Sequence, residues 1–280
     1  MTNIFMFPGQ GSQKKGMGED LFERFSELTA QADAILGYSI KTLCLEDPNE
    51  ELNKTQFTQP ALYIVGALSY LAKLEDEKVT PDYVIGHSLG EYPALFAAGA
   101  FDFATGLELV QKRGALMSQA TGGGMAAILG LDGDATKAAL DELGADTIDV
   151  ANYNTPGQTV ISGLKDDIDE IAPKLQEKGA KRAIVLNVSG AFHSRYMQAA
   201  ADEFAEFIAS KPLQSLKTPC LANCSGELYQ SAKVAENLVR QITSSVLWIK
   251  TINFLKDKPG ATFTEVGPGK VLTGMMRQFK

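Results

Sequence analysis

Gly86-His87-Ser88-Leu89-Gly90 follows the apolar run Tyr83-Val84-Ile85 and precedes Glu91-Tyr92-Pro93-Ala94-Leu95-Phe96-Ala97-Ala98. A short buried strand, a Gly-x-Ser-x-Gly turn and a helix make the pattern of a nucleophile elbow. So tight a turn leaves no room for side chains at the flanking positions, and both are glycine. It lifts the Ser88 hydroxyl to a helix N-terminus, where the dipole and unpaired N–H groups stabilise developing negative charge. Three fixed positions in five also arise by chance, but the strand before and the helix after favour a nucleophile. A serine nucleophile needs a base, and the chain holds two histidines, His87 and His193. His87 sits on the turn itself. His193, in Ser189-Gly190-Ala191-Phe192-His193-Ser194, precedes a helix expected at Arg195–Ser210, and it is the expected base.

The elements that must position this pair read as alternating strands and helices. Ile4-Phe5-Met6-Phe7 is an expected strand running into Pro8-Gly9-Gln10-Gly11-Ser12-Gln13. No Lys-Ser/Thr follows that loop at P-loop spacing, and it better suits close approach of backbone N–H groups to a reacting oxygen. Helices are expected over Phe22–Leu36, over Pro60–Leu74 with Thr58 as cap and Pro60 in its first turn, and over Phe103–Gln119. Arg113 lies in the last of these among Leu109, Val110, Leu116 and Met117. On residue type alone such an arginine is more often solvated or paired than functional.

After the break at Thr121-Gly122-Gly123-Gly124, six elements alternate. They are strand Met125–Leu131, helix Asp134–Leu143, strands Ile148–Asn152 and Gln158–Gly163, helix Lys165–Lys178 and strand Arg182–Val188. The order β-α-β-β-α-β is ferredoxin-like. The expected fold class is therefore α/β, with an α/β-hydrolase-like large subdomain (1–123 and 189–280) and an inserted ferredoxin-like small subdomain (124–188) walling a cleft above Ser88. A strand at Pro219–Asn223, helices at Ala232–Ile242 and Trp248–Lys258, a strand at Thr262–Val266 and a terminal helix Lys270–Gln278 complete the chain.

Apolar residues make up 45% and charged residues 21% of 280, an ordinary globular balance. A net charge of −8 argues against a general nucleic-acid binder and makes any acidic partner dock on a local basic patch. No secretory signal or membrane span is apparent. Cys44, Cys220 and Cys224 are few and odd in number, which suits a reducing cytoplasm. Cys220 and Cys224 read as buried thiols, with no metal site expected.

Six separated segments resemble one family. They are Pro8-Gly9-Gln10-Gly11-Ser12-Gln13 after its strand, Thr58-Gln59-Pro60-Ala61-Leu62, Gly86-His87-Ser88-Leu89-Gly90-Glu91 with Arg113, Ala151-Asn152-Tyr153-Asn154-Thr155-Pro156-Gly157-Gln158, Ala191-Phe192-His193-Ser194, and Val266-Gly267-Pro268-Gly269-Lys270-Val271-Leu272. In this order they resemble the malonyl-CoA:acyl-carrier-protein transacylases. Gln56-Phe57-Thr58-Gln59-Pro60-Ala61-Leu62-Tyr63 leans toward the discrete trans-acting enzymes of polyketide synthases over those of fatty-acid synthesis.

The resemblance implies that Ser88 attacks the malonyl-CoA thioester and that His193 takes its proton and later activates the phosphopantetheine thiol of an acidic acyl carrier protein. It implies an oxyanion hole from the backbone N–H groups of Gln10 and Leu89, and a main-chain carbonyl at Gln241 orienting His193. Arg113 would bind the malonyl carboxylate with its planar fork, and Phe192 would exclude a branch at the acyl α-carbon. Met117 and Gln59 would line the pocket, with core packing and helix capping as their ordinary alternatives. His87 would position the elbow or touch substrate, and Asn152 and Asn154 would hold the small-subdomain edge near the acyl group. No permanently bound cofactor is implied.

Two other readings compete: an acyl hydrolase in which water replaces the carrier thiol, and a non-catalytic module that binds carrier proteins. A buried cation reserved for a carboxylate argues against the first, and an intact Ser88, His193 and Arg113 against the second. Lys14, Lys15, Arg195, Lys250, Lys270 and Arg277 are candidates for a basic docking rim.

Overall fold

The computed structural model describes residues 1–188 and 190–279; Ser189, where the return to the large subdomain was drawn, lies outside them. Its strands are β1 (Thr2–Phe7), β2 (Tyr83–Gly86), β3 (Gly123–Leu129), β4 (Asp149–Thr155), β5 (Gln158–Leu164), β6 (Arg182–Val185), β7 (Leu221–Ala222), β8 (Glu227–Leu228) and β9 (Ala261–Glu265). β2, β1 and β9 form a parallel sheet in that order, with Phe7 beside Gly86 and Met6 beside Glu265. Strands in such a sheet are covered on both faces and read as continuous apolar runs; Ile4, Phe5, Met6, Phe7, Val84 and Ile85 are all buried. The carboxyl ends of β1 and β2 stop side by side, where open α/β sheets place their ligands.

β3 to β6 form a separate antiparallel sheet in the order β4-β5-β3-β6. Together with helices Gly133–Glu142 and Lys165–Glu177 this is the ferredoxin-like arrangement. It has its own core, built on Ile128, Ile148, Ile161, Ile168 and Leu175. The large subdomain packs around Tyr63, Tyr92, Leu107 and Phe204. Each such side chain contributes on the order of 1.5–3 kcal/mol on burial. The seam between the two runs along β4, where main-chain bonds join the apolar packing of Met125, Ala127, Ala151 and Val160 against the large core. Tyr153 N donates to Val246 O at 2.9 Å, Val246 N to Ala151 O at 2.8 Å, and Ser245 Oγ to Val150 O at 2.5 Å.

Several boundaries differ from expectation. The helix expected from Pro60 starts at Thr55. Thr58 is inside it, and its hydroxyl donates to Leu52 O at 2.6 Å and Lys54 O at 3.0 Å, so it caps nothing. Pro60 removes one helical hydrogen bond within a helix buried along most of its length, where tertiary packing outweighs propensity. The helix expected at Phe22–Leu36 is broken at Phe25 into Glu19–Arg24 and Ser26–Leu36, with Thr29 Oγ1 satisfying the carbonyls of Phe22 and Phe25 at the break. The strand expected at Pro219–Asn223 joins the large sheet only at one bridge, Cys220 to Val84, before turning into the β7–β8 hairpin. A short helix, Ile40–Leu45, capped by the Ser39 side chain, was not foreseen.

Candidate active site

At the end of β2 the chain makes a 3-10 turn over Ser88–Gly90 and enters the helix Glu91–Ala97. Ser88 holds a positive φ of 53°, a strained conformation that only its surroundings maintain. A Cβ on Gly86 would lie 1.9 Å from Gly90 O, and one on Gly90 would lie 2.0 Å from Phe7 O, so neither position accepts a side chain. The loop after β1 is pressed on the turn as tightly: a Cβ on Gly9 would meet His87 O at 2.3 Å. Ser88 N donates to Asn223 Oδ1 at 2.7 Å and Gly90 N to His87 O at 2.9 Å. Leu89 N is the turn amide that neither bond uses. Leu89 and Gln10 both line a cavity of about 600 Å³ between the subdomains.

His193 Nε2 lies 2.7 Å from Ser88 Oγ. Its other nitrogen, Nδ1, donates to Gln241 O at 2.9 Å and lies 3.2 Å from Ser244 O. Those carbonyls keep the proton on Nδ1 and leave Nε2 as the acceptor for the serine proton. Burial, and next the charge of Arg113, push the imidazole down to about 3. The ring is therefore neutral at physiological pH. The helix expected at Arg195 begins as a 3-10 turn and becomes α-helical at Gln198.

Arg113 is buried on the helix Phe103–Ser118. Its NH1 donates to Gln59 Oε1 and its NH2 to Gln241 Oε1, each at 2.8 Å, and Tyr92 lies under the guanidinium at 5.6 Å. Nε has no partner, and among the described residues no carboxylate pairs with this cation. Gln59 Nε2 completes its contacts on Met117 Sδ at 3.5 Å. His87 Nε2 donates to Asn154 Oδ1 at 2.7 Å, an orientation supported by Asn154 Nδ2 donating to Gln158 Oε1 at 3.2 Å, and the His87 ring stands edge-on to Trp248. Burial lowers the His87 pKa.

Ser88, His193, Arg113, Gln10, Leu89, Gln59, Met117, Phe192, His87, Asn152 and Asn154 all line this one cavity. Met125, Ala127 and Val160, from the small sheet, supply its facing wall. Gln241 stands behind His193 and Arg113. Sequence reasoning missed Asn223 and Glu91, which lie beneath the elbow. Glu91 was in view as the residue after the second elbow glycine, but nothing marked it as buried. Of the rim candidates, Arg195 is held by Asp149 and Lys250 by Glu227 at 2.9 Å, so neither is a free cation. Lys14, Lys15, Lys270 and Arg277 form no ion pair among the described residues.

A hydroxyl on an elbow, a neutral imidazole on that hydroxyl and a turn amide beside them are the equipment of acyl transfer. The chain belongs to the acyl transferase domain family, which matches residues 4–279. It is 53% identical over 277 residues to the polyketide biosynthesis malonyl CoA-acyl carrier protein transacylase PksC of Bacillus subtilis, covering 99% of this chain and 96% of the relative. The crystal structure of a malonyl CoA-acyl carrier protein transacylase from Burkholderia pseudomallei superimposes with a TM-score of 0.96 at 49% identity, covering 99% and 97% of the two chains. A malonyl-transacylase solved in complex with a type II polyketide-synthase acyl-carrier protein gives 0.93 at 36% identity, covering 99% and 93%. Among the described residues no helix is long and apolar enough to cross a membrane.

Proposed function

We propose that this chain transfers a malonyl group from malonyl-CoA, through an acyl ester on Ser88, to the phosphopantetheine thiol of an acidic acyl carrier protein, in polyketide biosynthesis. The observation that carries the reading is Arg113, a buried guanidinium that lines the Ser88 cavity and has only neutral hydrogen-bond partners. An unpaired buried cation is costly, and a carboxylate ligand relieves it. The same observation disfavours a hydrolase of varied acyl groups.

The reaction runs in two matching halves. Ser88 Oγ attacks the thioester carbonyl while His193 Nε2 takes its proton. The amides of Leu89 and Gln10 hold the oxyanion, each such donor being worth roughly 2.7–4 kcal/mol. Collapse expels the CoA thiolate, which takes the proton from His193. In the second half His193 removes the proton of the carrier thiol, the thiolate attacks the ester carbonyl, and Ser88 regains its proton as it leaves. A carbonyl rather than a carboxylate orients His193. A malonyl carboxylate on Arg113 offsets the charge that depresses His193, so the right donor raises the basicity of the base. Residues 124–188 act in this scheme as the wall of the acyl pocket, and 1–123 with 189–280 carry the chemistry. A cytoplasmic location suits the three buried free cysteines.

Intact-mass measurement after brief exposure to malonyl-CoA tests the reading. A malonyl adduct is expected on the wild type, with none on Ser88→Ala and little on Arg113→Ala, and it should pass to a holo carrier protein. Equal labelling by acetyl-CoA, with loss of the label to water, overturns it in favour of a hydrolase.

A further inference from the structure

Glu91 is a carboxylate sealed beneath the Ser88 turn. Oε1 accepts from Asn223 N at 3.0 Å and from the Tyr229 hydroxyl at 2.6 Å, and Oε2 accepts from Gln241 Nε2 at 2.5 Å. Two of these partners reach the reacting groups. Asn223 Oδ1 accepts from Ser88 N, and its Nδ2 donates to Gly86 O, both at 2.7 Å. Gln241 Nε2 also donates to Ser88 O at 2.8 Å, its Oε1 accepts from Arg113, and its main-chain oxygen accepts from His193. Among the described residues Glu91 pairs with no cation, as Arg113 pairs with no carboxylate. One side-chain amide, that of Gln241, joins the buried anion to the buried cation.

We propose that Glu91 is a positioning residue for transacylation. It fixes the Asn223 main-chain amide and the Gln241 side-chain amide, and through them it holds Ser88, His193 and Arg113 in one geometry. The proposal rests on the transacylase reading above. Its physical basis is the donor count. The carboxylate faces three donors and no acceptor, so its charged form satisfies all of them. Protonation sets a hydrogen among those donors and forces one away. Loss of the anion also removes one of the three bonds that fix the Gln241 amide between Arg113 and Ser88 O.

The groups that face Glu91 are Tyr229, Tyr92, Cys220, Cys224 and Arg113. Burial raises the phenols and thiols, which stay neutral around pH 7, and Arg113 stays charged. Burial pushes the Glu91 carboxyl itself up to about 7, against its hydrogen bonds and Arg113. Burial lowers both His87 and His193, the latter to about 3 in the free enzyme. An acid limb near pH 7 in acylation therefore reports on Glu91.

The test follows the rate of acylation of the full chain by malonyl-CoA against pH, by quenched-flow intact mass, for the wild type, Glu91→Gln and Tyr229→Phe. The wild-type rate should fall as pH drops through about 7. Glu91→Gln should lose that limb and be slower above it by about tenfold or more, the scale of one hydrogen bond to a charged group. Tyr229→Phe removes a donor from the charged form and should move the limb upward. A folded Glu91→Gln with the wild-type rate and limb overturns the proposal. If that variant does not fold, a wild type without the limb, or a limb unmoved in Tyr229→Phe, overturns it. A wild type that is acylated with a flat profile sinks this proposal alone, whereas one never acylated sinks the transacylase reading with it.

Discussion

Gln241 meets His193 and Arg113 with different parts of itself: its main-chain oxygen lies 2.9 Å from His193 Nδ1 and its side-chain oxygen 2.8 Å from Arg113 NH2. The two roles can be separated by mutation. Gln241→Ala keeps the carbonyl on His193, but it releases Arg113 together with Ser88 O and Glu91. Its expected signature is a raised KM for malonyl-CoA, with kcat/KM lower by about tenfold or more, the scale of one lost hydrogen bond to a charged group. His193→Ala should instead remove acylation outright. Steady-state kinetics on both variants check this, and an equal fall in kcat alone for Gln241→Ala would contradict it.

Arg113→Lys is expected to behave almost as badly as Arg113→Ala. A lysine ammonium is a point charge that cannot bond Gln59 and Gln241 while presenting a planar fork. Loss of a buried charge–carboxylate contact is worth roughly 3–5 kcal/mol, or about two to nearly four orders of magnitude in kcat/KM for malonyl-CoA. Acetyl-CoA, which has no carboxylate, should lose far less. Competition between the two donors measures the difference.

Gly86→Ala and Gly90→Ala should fail at the level of folding rather than kinetics. The added methyl groups would meet backbone at 1.9 Å and 2.0 Å, and backbone cannot step aside. A loss above about 4 kcal/mol is expected for each. Thermal unfolding settles it, and a variant with a near-native transition would show that the turn can relax.

Phe192→Ala should admit a branched α-carbon. Phe192 is buried against the same cavity as Ser88, and steric rejection of one methyl group is worth about 1–3 kcal/mol. Discrimination between malonyl-CoA and methylmalonyl-CoA should therefore narrow by about tenfold or more. Unchanged discrimination would move the steric gate elsewhere in the lining.

Stability should respond to acid in two stages. His193 falls from 6.5 to about 3 on folding, so it costs stability as pH drops from 6.5 toward 3. Glu91 rises from 4.5 to about 7, so its share is complete below 4.5 and is lost as pH rises through 7. Between 4.5 and 6.5 the two slopes oppose and nearly cancel. Below 4.5 the Glu91 contribution no longer opposes, and His193 alone adds a slope of about 1.4 kcal/mol per pH unit, joined by the lowered His87 and Asp149. Denaturant midpoints against pH should show a plateau and then a steep fall, and His193→Gln should remove much of the fall.

The elbow, the two subdomains and most helices were legible because they follow from period, turn chemistry and order along the chain. Gly86 and Gly90 announce a turn that nothing larger can make, and the β-α-β-β-α-β order after Gly124 announces a ferredoxin-like sheet. What stayed hidden depends on burial and distant contact. Pro60 looked like a helix start because local propensity says so, whereas packing extends the helix five residues upstream. Glu91 and Asn223 sit 132 positions apart and meet only in the folded chain. Arg195 and Lys250 looked like free cations until Asp149 and Glu227 arrived from other elements.

The seam along β4 leaves the pocket wall room to vary. Tyr153, Ala151 and Val246 dock through main-chain groups, which any residue sequence supplies. The pocket face of the small sheet, Met125, Ala127 and Val160, can therefore vary in size and shape while these bonds hold the sheet in place. The wall then tunes the far side of the acyl pocket, while Arg113 and Phe192 stay on the same side as Ser88 and His193.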